Sequence, residues 1–303
     1  PYRLARDIRG IGFIKADNIA LKMGVEENSI ERLKAAIHYI LSTAEDDGHC
    51  FLTTKQMVER LIQILKIEEA DVYSKVYEAV KELNESSYII TESEETTDEQ
   101  TQSIHYLSSL LLAEESSAAK MQDLLNTDLE IDHQRVNNWL DRYLEATKSQ
   151  LSQTQREAVV KAVSARVFIL TGGPGVGKTT TANTIIKLLL AMGKSIQLAA
   201  PTGRAAQRLS EVSGETAKTI HRLLEWNPAE GGFLRDEDNP ILCDAIVIDE
   251  ASMLDIRLFY SLIKAISARS QIILIGDVDQ LPSVELETFY VILLTLSVFL
   301  LLC

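Results

Sequence analysis

Cysteine is scarce: three residues in 303, at Cys50, Cys243 and Cys303. The count is odd and the spacings are long, which excludes a disulfide framework and a Cys-based zinc site. A reducing compartment, the cytoplasm, is the expected location. Proline (6) and glycine (14) are too few for a collagen-like or low-complexity chain. With 46% apolar and 24% charged residues, disorder along the whole length is excluded as well. No basic leader with an apolar core opens the sequence, so no signal peptide is expected. One long apolar run exists, Phe289 to Cys303, broken only by Thr295 and Ser297. It falls short of the roughly 20 residues that a spanning helix needs, so no membrane partner is expected.

Positive charge is also in short supply. Thirty Lys and Arg face 44 Asp and Glu, a net charge of −14. Residues 1–150 hold 16 basic against 28 acidic side chains, and residues 151–303 hold 14 against 16. A broad basic face for nucleic acid is therefore excluded. Contact with phosphates has to come from backbone amides and helix ends.

Against these absences stands a clear change of pattern near residues 145–152. Before it, helical periodicity dominates: 28–46, opened by Asn28 or Ser29, then 53–66 and 71–84. A strand is expected over 87–91, an acidic turn over 92–99 and a returning strand over 103–107, so this stretch resembles a winged helix. An acidic wing repels phosphate, which makes it structural or protein-facing. One or two helices follow over 108–147. Gly10-Ile11-Gly12 interrupts the first apolar-periodic stretch, as a tight turn between helices does. Such a turn fits a phosphate-holding hairpin and a packing turn equally well.

Beyond the boundary, short β-branched runs alternate with helices. Strands are expected at 166–171, 195–200, 244–249 and 271–276, and helices at 178–192, 204–212, 217–225 and 255–267. Fully apolar strands separated by helices predict an α/β fold with a parallel sheet covered on both faces.

The motifs sit at the strand ends. Gly172-Gly173-Pro174-Gly175-Val176-Gly177-Lys178-Thr179 follows a strand and opens a helix, the context of a P-loop. Its amides and helix dipole suit ATP phosphates. Lys178 reaches the β- and γ-phosphates, Thr179 ligates Mg²⁺, and Thr180 adjoins them. The strand at 244–249 ends in Asp249 and Glu250. This pair reads as an Mg²⁺-shell acid and a general base for the attacking water, or as acids capping the next helix. Gln280, in Gly276-Asp277-Val278-Asp279-Gln280, is the candidate γ-phosphate sensor; a β-turn is the bland alternative. Gln155 carries an amide able to pair in two directions with an adenine edge.

Together these elements resemble superfamily 1 DNA helicases of the RecD/TraA-like branch. Gln155 matches the adenine-reading motif, Gly172 to Thr179 motif I, and Ala199 to Ala206 motif Ia. Thr219 to Leu224 matches the segment after motif Ia, Asp249 to Ser252 motif II, and Gly276 to Ser283 motif III. The resemblance implies a RecA-like motor domain over 148–284. It also implies a helix–hairpin–helix over 1–50, with Gly10, Ile11 and Gly12 on DNA phosphates, and a helical, winged-helix-like region over 51–147. Further DNA contacts are implied at Pro201, Thr202, Gly203 and His221. The implied activity is ATP-dependent 5′→3′ translocation on single-stranded DNA and at duplex junctions, in repair and recombination. Residues 285–303 resemble nothing in the family, and a second motor domain with motifs IV to VI does not follow. The chain is therefore expected to act as an incomplete, poorly active portion, or as a nucleotide- and DNA-binding module without turnover.

Overall fold

The computed structural model describes residues 1–2, 12–46, 48–67, 72–95, 101–126, 129–173, 175–277 and 299–302. Gly10, Ile11, Pro174, Gln280 and the first part of the apolar tail lie outside the described residues. The chain forms two compact units, residues 1–112 and 113–303.

In the first unit, α1 (Phe13–Lys22) starts directly after Gly12. Next come α2 (Ile30–Asp46), β1 (Phe51–Thr53), α3 (Thr54–Leu65), α4 (Val72–Glu85), β2 (Ile89–Glu95) and β3 (Thr101–Leu107). Ser29 Oγ accepts from the Arg32 amide, so Ser29 opens α2. Thr53 and Gln56 form a reciprocal capping box at the start of α3. The three strands make an antiparallel sheet ordered β1-β3-β2. Helix, strand, two helices and a hairpin thus follow one another in this unit. The three-residue β1 is too short to stand out as a periodic pattern. The hairpin is longer than expected, because Glu92, Glu94 and Glu95 pair with Ile104, Gln102 and Thr101. Ladder hydrogen bonds thus hold as strand what the charge run suggested was turn.

Two buried polar groups tie this unit together. Arg32, 4% exposed, donates to both carboxylate oxygens of Asp17 at 2.8 Å, and Tyr2 donates to the same carboxylate at 2.9 Å. Arg32 also reaches the Glu27 carbonyl at 2.8 Å. Although burial opposes it, these hydrogen bonds hold the Asp17 carboxyl below the ordinary range. In the wing, His105 is 3% exposed. Its Nε2 meets Thr54 Oγ1 and its Nδ1 meets Thr91 Oγ1, both at 2.9 Å, while Asn84 donates to Thr91.

Helix α5 (Ser108–Leu125) begins in the first unit and continues into the second, where α6 (His133–Thr147) and α7 (Gln153–Ser164) follow. The α/β part then runs β4 (Val167–Gly172), α8 (Lys178–Ala191), β5 (Ile196–Ala200), α9 (Gly203–Ser213), β6 (Ala217–Thr219), α10 (Ile220–Leu223), β7 (Trp226–Asn227), β8 (Gly232–Phe233), β9 (Ala245–Ile248), a 3₁₀ turn (Ala251–Met253), α11 (Ile256–Ala265), β10 (Gln271–Ile275) and β11 (Phe299–Leu302). Six strands form one sheet, ordered β11-β4-β10-β9-β5-β6, and every pairing is parallel. Strands β4, β9 and β10 are buried throughout, as a doubly covered sheet requires. The core joins Val136, Leu140 and Leu144 of α6 to Val159 and Val163 of α7, Ile185 and Leu189 of α8, and Phe168, Leu170, Val247 and Ile273 of the sheet. Gln271, 1% exposed, donates to the carbonyls of Ala162 and Ala165 and so satisfies the end of α7.

One expected helix is corrected. Residues 217–225 are a strand and a single helical turn, not one helix. Ala217 to Thr219 pair in parallel with Leu198 to Ala200, and Thr219 Oγ1 then accepts from the Arg222 amide to start α10. Sheet pairing overrides the helical pattern here.

Burial pushes the His105 imidazole down to about 4. Between that value and the unfolded value of about 6.5, the unfolded chain binds a proton that the folded chain refuses. Stability should therefore fall as pH drops from about 6.5 to 4, by up to about 3 kcal/mol from this group. Chemical denaturation monitored across that window should show the slope, and His105→Gln should flatten it. An unchanged slope in the variant would assign the pH dependence to other groups.

Candidate active site

A parallel sheet places the ends of β4, β9 and β10 at one edge, where ligands of open α/β sheets bind. The P-loop leaves β4 and passes into α8. Gly175 (φ +82°) and Gly177 (φ +88°) are left-handed, a conformation open to glycine and costly for other residues. Lys178 is the first residue of α8. Its ammonium donates to the Gly172 carbonyl, to the Gly173 carbonyl at 2.8 Å, and lies 3.4 Å from the Asp277 carboxylate. Thr179 and Thr180 follow on the first turn and are exposed.

Gln155 reaches this loop from α7. Its Oε1 accepts from the Ser152 amide at 2.9 Å and its Nε2 donates to the Val176 carbonyl at 3.0 Å. One amide side chain thus caps a helix and pins the P-loop.

At the end of β9, Asp249 donates its backbone amide to Ala199 and accepts the Glu250 amide at 3.0 Å on Oδ1. Burial lifts the Asp249 carboxyl above its ordinary range, and the Glu250 amide, Arg208 and Lys178 moderate that rise. Glu250 has φ +55°, left-handed backbone in a non-glycine residue, as it turns into the 3₁₀ segment. Strain of this kind clusters at functional sites. Thr179, Asn183, Arg208 and Asp249 line one small cavity. A hydroxyl and a carboxylate are the hard oxygen donors that Mg²⁺ takes, so the residues fit that ion.

Asp277, 3% exposed, is the acid that sequence reasoning passed over in favour of Gln280. The signal was present: Asp277 is the second residue beyond β10, and β10 lies between the P-loop strand and the Asp249 strand.

Of the candidate DNA segments, two lie on the second unit and Gly12 on the first. Pro201, Thr202 and Gly203 lead into α9, with Thr202 Oγ1 accepting from the Ala205 amide at 3.2 Å. The first amides of such a helix face outward, where phosphate can meet them. His221 is exposed and packs its ring 6.4 Å from Trp226 and 5.6 Å from Phe233, which themselves stand 5.0 Å apart. Trp226 and Phe233 belong to the β7–β8 hairpin, which no periodicity announces. Gly12, at the start of α1, has open space around it.

Residues 1–51 match the family described as the ATP-dependent RecD2 DNA helicase HHH domain, and residues 155–286 match the AAA domain family. The ATP-dependent RecD2 DNA helicase of Deinococcus radiodurans is 32% identical over 284 residues, 92% of this chain and 38% of that protein. The chain belongs to the RecD-like helicase family. RecBCD enzyme subunit RecD of Mycobacterium tuberculosis is 40% identical over 154 residues, 43% of the chain and 27% of that protein. The ATP-dependent DNA helicase dda of Enterobacteria phage T4 is 38% identical over 150 residues, 46% of the chain and 34% of that protein. This RecD-like chain thus spans well under two thirds of each relative. No helix among its described residues is long and apolar enough to cross a membrane.

The pinned P-loop of the RecD-like chain can be tested sterically. A Cβ on Gly177 would meet Gln155 Nε2 well inside van der Waals contact, and φ +88° disfavours any L side chain. Gly177→Ala should lower the melting temperature by several degrees and weaken nucleotide binding at least tenfold, given a cost of about 1–3 kcal/mol for the backbone alone. Adding Gln155→Ala should recover part of the stability, because it removes the clash but not the strain. Strict additivity of the two changes would show that Gln155 does not press on the loop.

Proposed function

We propose that this chain forms the nucleotide-binding and part of the DNA-binding apparatus of an ATP-dependent DNA helicase that moves 5′→3′ on single strands. The observation that supports this most directly is the gathering of Lys178, Asp249, Glu250 and Asp277 at one sheet edge, around a P-loop with left-handed Gly175 and Gly177. In this reading Lys178 binds the β- and γ-phosphates, and Thr179 and Asp249 hold Mg²⁺. The chemistry that the ion supplies when bound is charge neutralisation across the phosphates. Glu250 takes the proton of the attacking water, and Gln280 senses the γ-phosphate. The loop residues Gly172 to Gly177, Pro174 among them, and Thr180 complete the cradle.

Gln155 supports an adenine-reading role by its hydrogen-bond inventory. A primary amide has two donor hydrogens and two acceptor lone pairs. Ser152 and Val176 take one of each, which leaves one donor and one acceptor for a purine edge.

On the nucleic-acid side, Gly10 to Gly12 and, after Pro201, Thr202 and Gly203 supply amides, while His221, Trp226 and Phe233 supply ring faces for stacking bases. This suits a chain with no basic surplus. We place single strands and duplex junctions as substrates, repair and recombination as the setting, and the cytoplasm as the compartment. The functional layout is a helix–hairpin–helix over 1–50, a winged-helix-like part over 51–147, a motor part over 148–284 and an apolar tail over 285–303.

Lys178→Ala should reduce Mg·ATP binding by at least tenfold in equilibrium titration, since the cradle loses its point charge. Glu250→Gln should bind normally and, in the protein that carries this chain, lose turnover by about two to four orders of magnitude. Undiminished nucleotide affinity after Lys178→Ala would refute the phosphate assignment. Loss of binding after Glu250→Gln would make that residue structural.

A further inference from the structure

One polar atom beside the P-loop has no use in the scheme above. Asn183 Oδ1 is buried and lacks a hydrogen-bond partner. An acceptor left in that condition costs about 1–3 kcal/mol unless something donates to it. Asn183 stands four residues after Thr179 on α8, so both side chains lie on the same helix face. The two line a cavity of about 10 Å³ together with Asp249 and Arg208. That volume admits about one water molecule. Its polar lining is the hydroxyls of Thr179 and Ser213, the Asn183 amide, the Asp249 carboxylate and the Arg208 guanidinium, and Thr179 and Asp249 carry the oxygens assigned to Mg²⁺.

We infer that Asn183 is a positioning residue for the nucleotide's divalent ion: its Oδ1 accepts a hydrogen bond from a water bound to the ion that Thr179 and Asp249 hold. Mg²⁺ keeps several waters when a protein supplies only one or two ligands, and those waters need acceptors. The amide oxygen has no proton of its own to offer, so it orients a water with both hydrogens pointing away from the cation. Arg208, on α9, also lines the cavity, and its charge acts on Asp249. A guanidinium has donors only, so it leaves the acceptor role to Asn183. Partners of this outer layer typically contribute ten- to hundredfold to metal affinity.

The inference rests on the nucleotide site proposed above, and the test separates the two. Mn²⁺, which is paramagnetic, replaces Mg²⁺, and its binding to the ADP-saturated full chain is followed by electron paramagnetic resonance. Fluorescent ADP in EDTA reports nucleotide affinity without metal. Asn183→Leu should weaken Mn²⁺ binding by about ten- to hundredfold and leave metal-free ADP affinity within twofold. Asn183→Asp keeps an acceptor oxygen in place and should bind Mn²⁺ at least as tightly as the parent, which guards against Asn183→Leu failing to fold. Equal Mn²⁺ affinity in the parent and in Asn183→Leu would overturn the inference and make the oxygen a packing partner of Arg208. Weakened Mn²⁺ binding in Asn183→Asp would overturn it too. If the parent chain bound no ADP in either condition, the nucleotide site itself would be wrong, which is a different failure.

Discussion

Parallel registration of β4 with β10, and of β10 with β9, is the constraint on which the rest of the motor unit depends. Parallel strands all end at the same edge, so three loops distant in sequence arrive within side-chain reach of one another. Lys178 meets Asp277 across 99 residues only because Leu170 and Ile275 are paired. The order β4-β10-β9 matters as much as the direction. It sets the strand that leads into Asp277 between the phosphate-loop strand and the Asp249 strand, and the Asp277 carboxylate faces Lys178. Slip β10 by one residue and its two buried faces exchange, which also shifts Asp277 away from Lys178.

The loop chemistry then follows from backbone shape. Gly175 and Gly177 accept left-handed torsions without cost, which lets the chain double back over the end of β4. Glu250 adopts a similar torsion with a side chain attached, at a real energetic penalty. A residue kept there against its preference is held by its surroundings: the Glu250 amide bonds to Asp249, and the 3₁₀ turn begins immediately after. The two catalytic candidates of this strand are thus mutually positioned before any ligand is considered.

Much of this was legible in residue order, because apolar β-branched runs and a glycine-rich loop are local signals. Lys178, Thr179, Asp249 and Glu250 needed no tertiary knowledge. The α/β class and the helices of the first unit were also readable from periodicity. What escaped depended on contacts between distant residues. The strand at Ala217 to Thr219 reads as helix until β5 pairs with it. Asp277 looks like a turn residue until Lys178 faces it. The Asn183 oxygen means nothing until Arg208 and Asp249 close around it. Short strands such as β1 and the β7–β8 hairpin carry too few residues for any period to register.

The six-stranded sheet also has a bearing on how the chain behaves among its copies. Its two outermost described strands are β11, with four residues, and β6, with three. Long flat edges recruit foreign strands, and short ones do not offer enough consecutive amides and carbonyls to do so. On the β6 side the exposed ladder is cut off at once by the turn of α10. Because β4, β10 and β9 carry neighbours on both sides, these buried strands present no open edge. The β-branched strands are thus kept in the interior of the sheet, while each outermost described strand offers only three or four residues to a foreign strand, independently of the nucleotide chemistry.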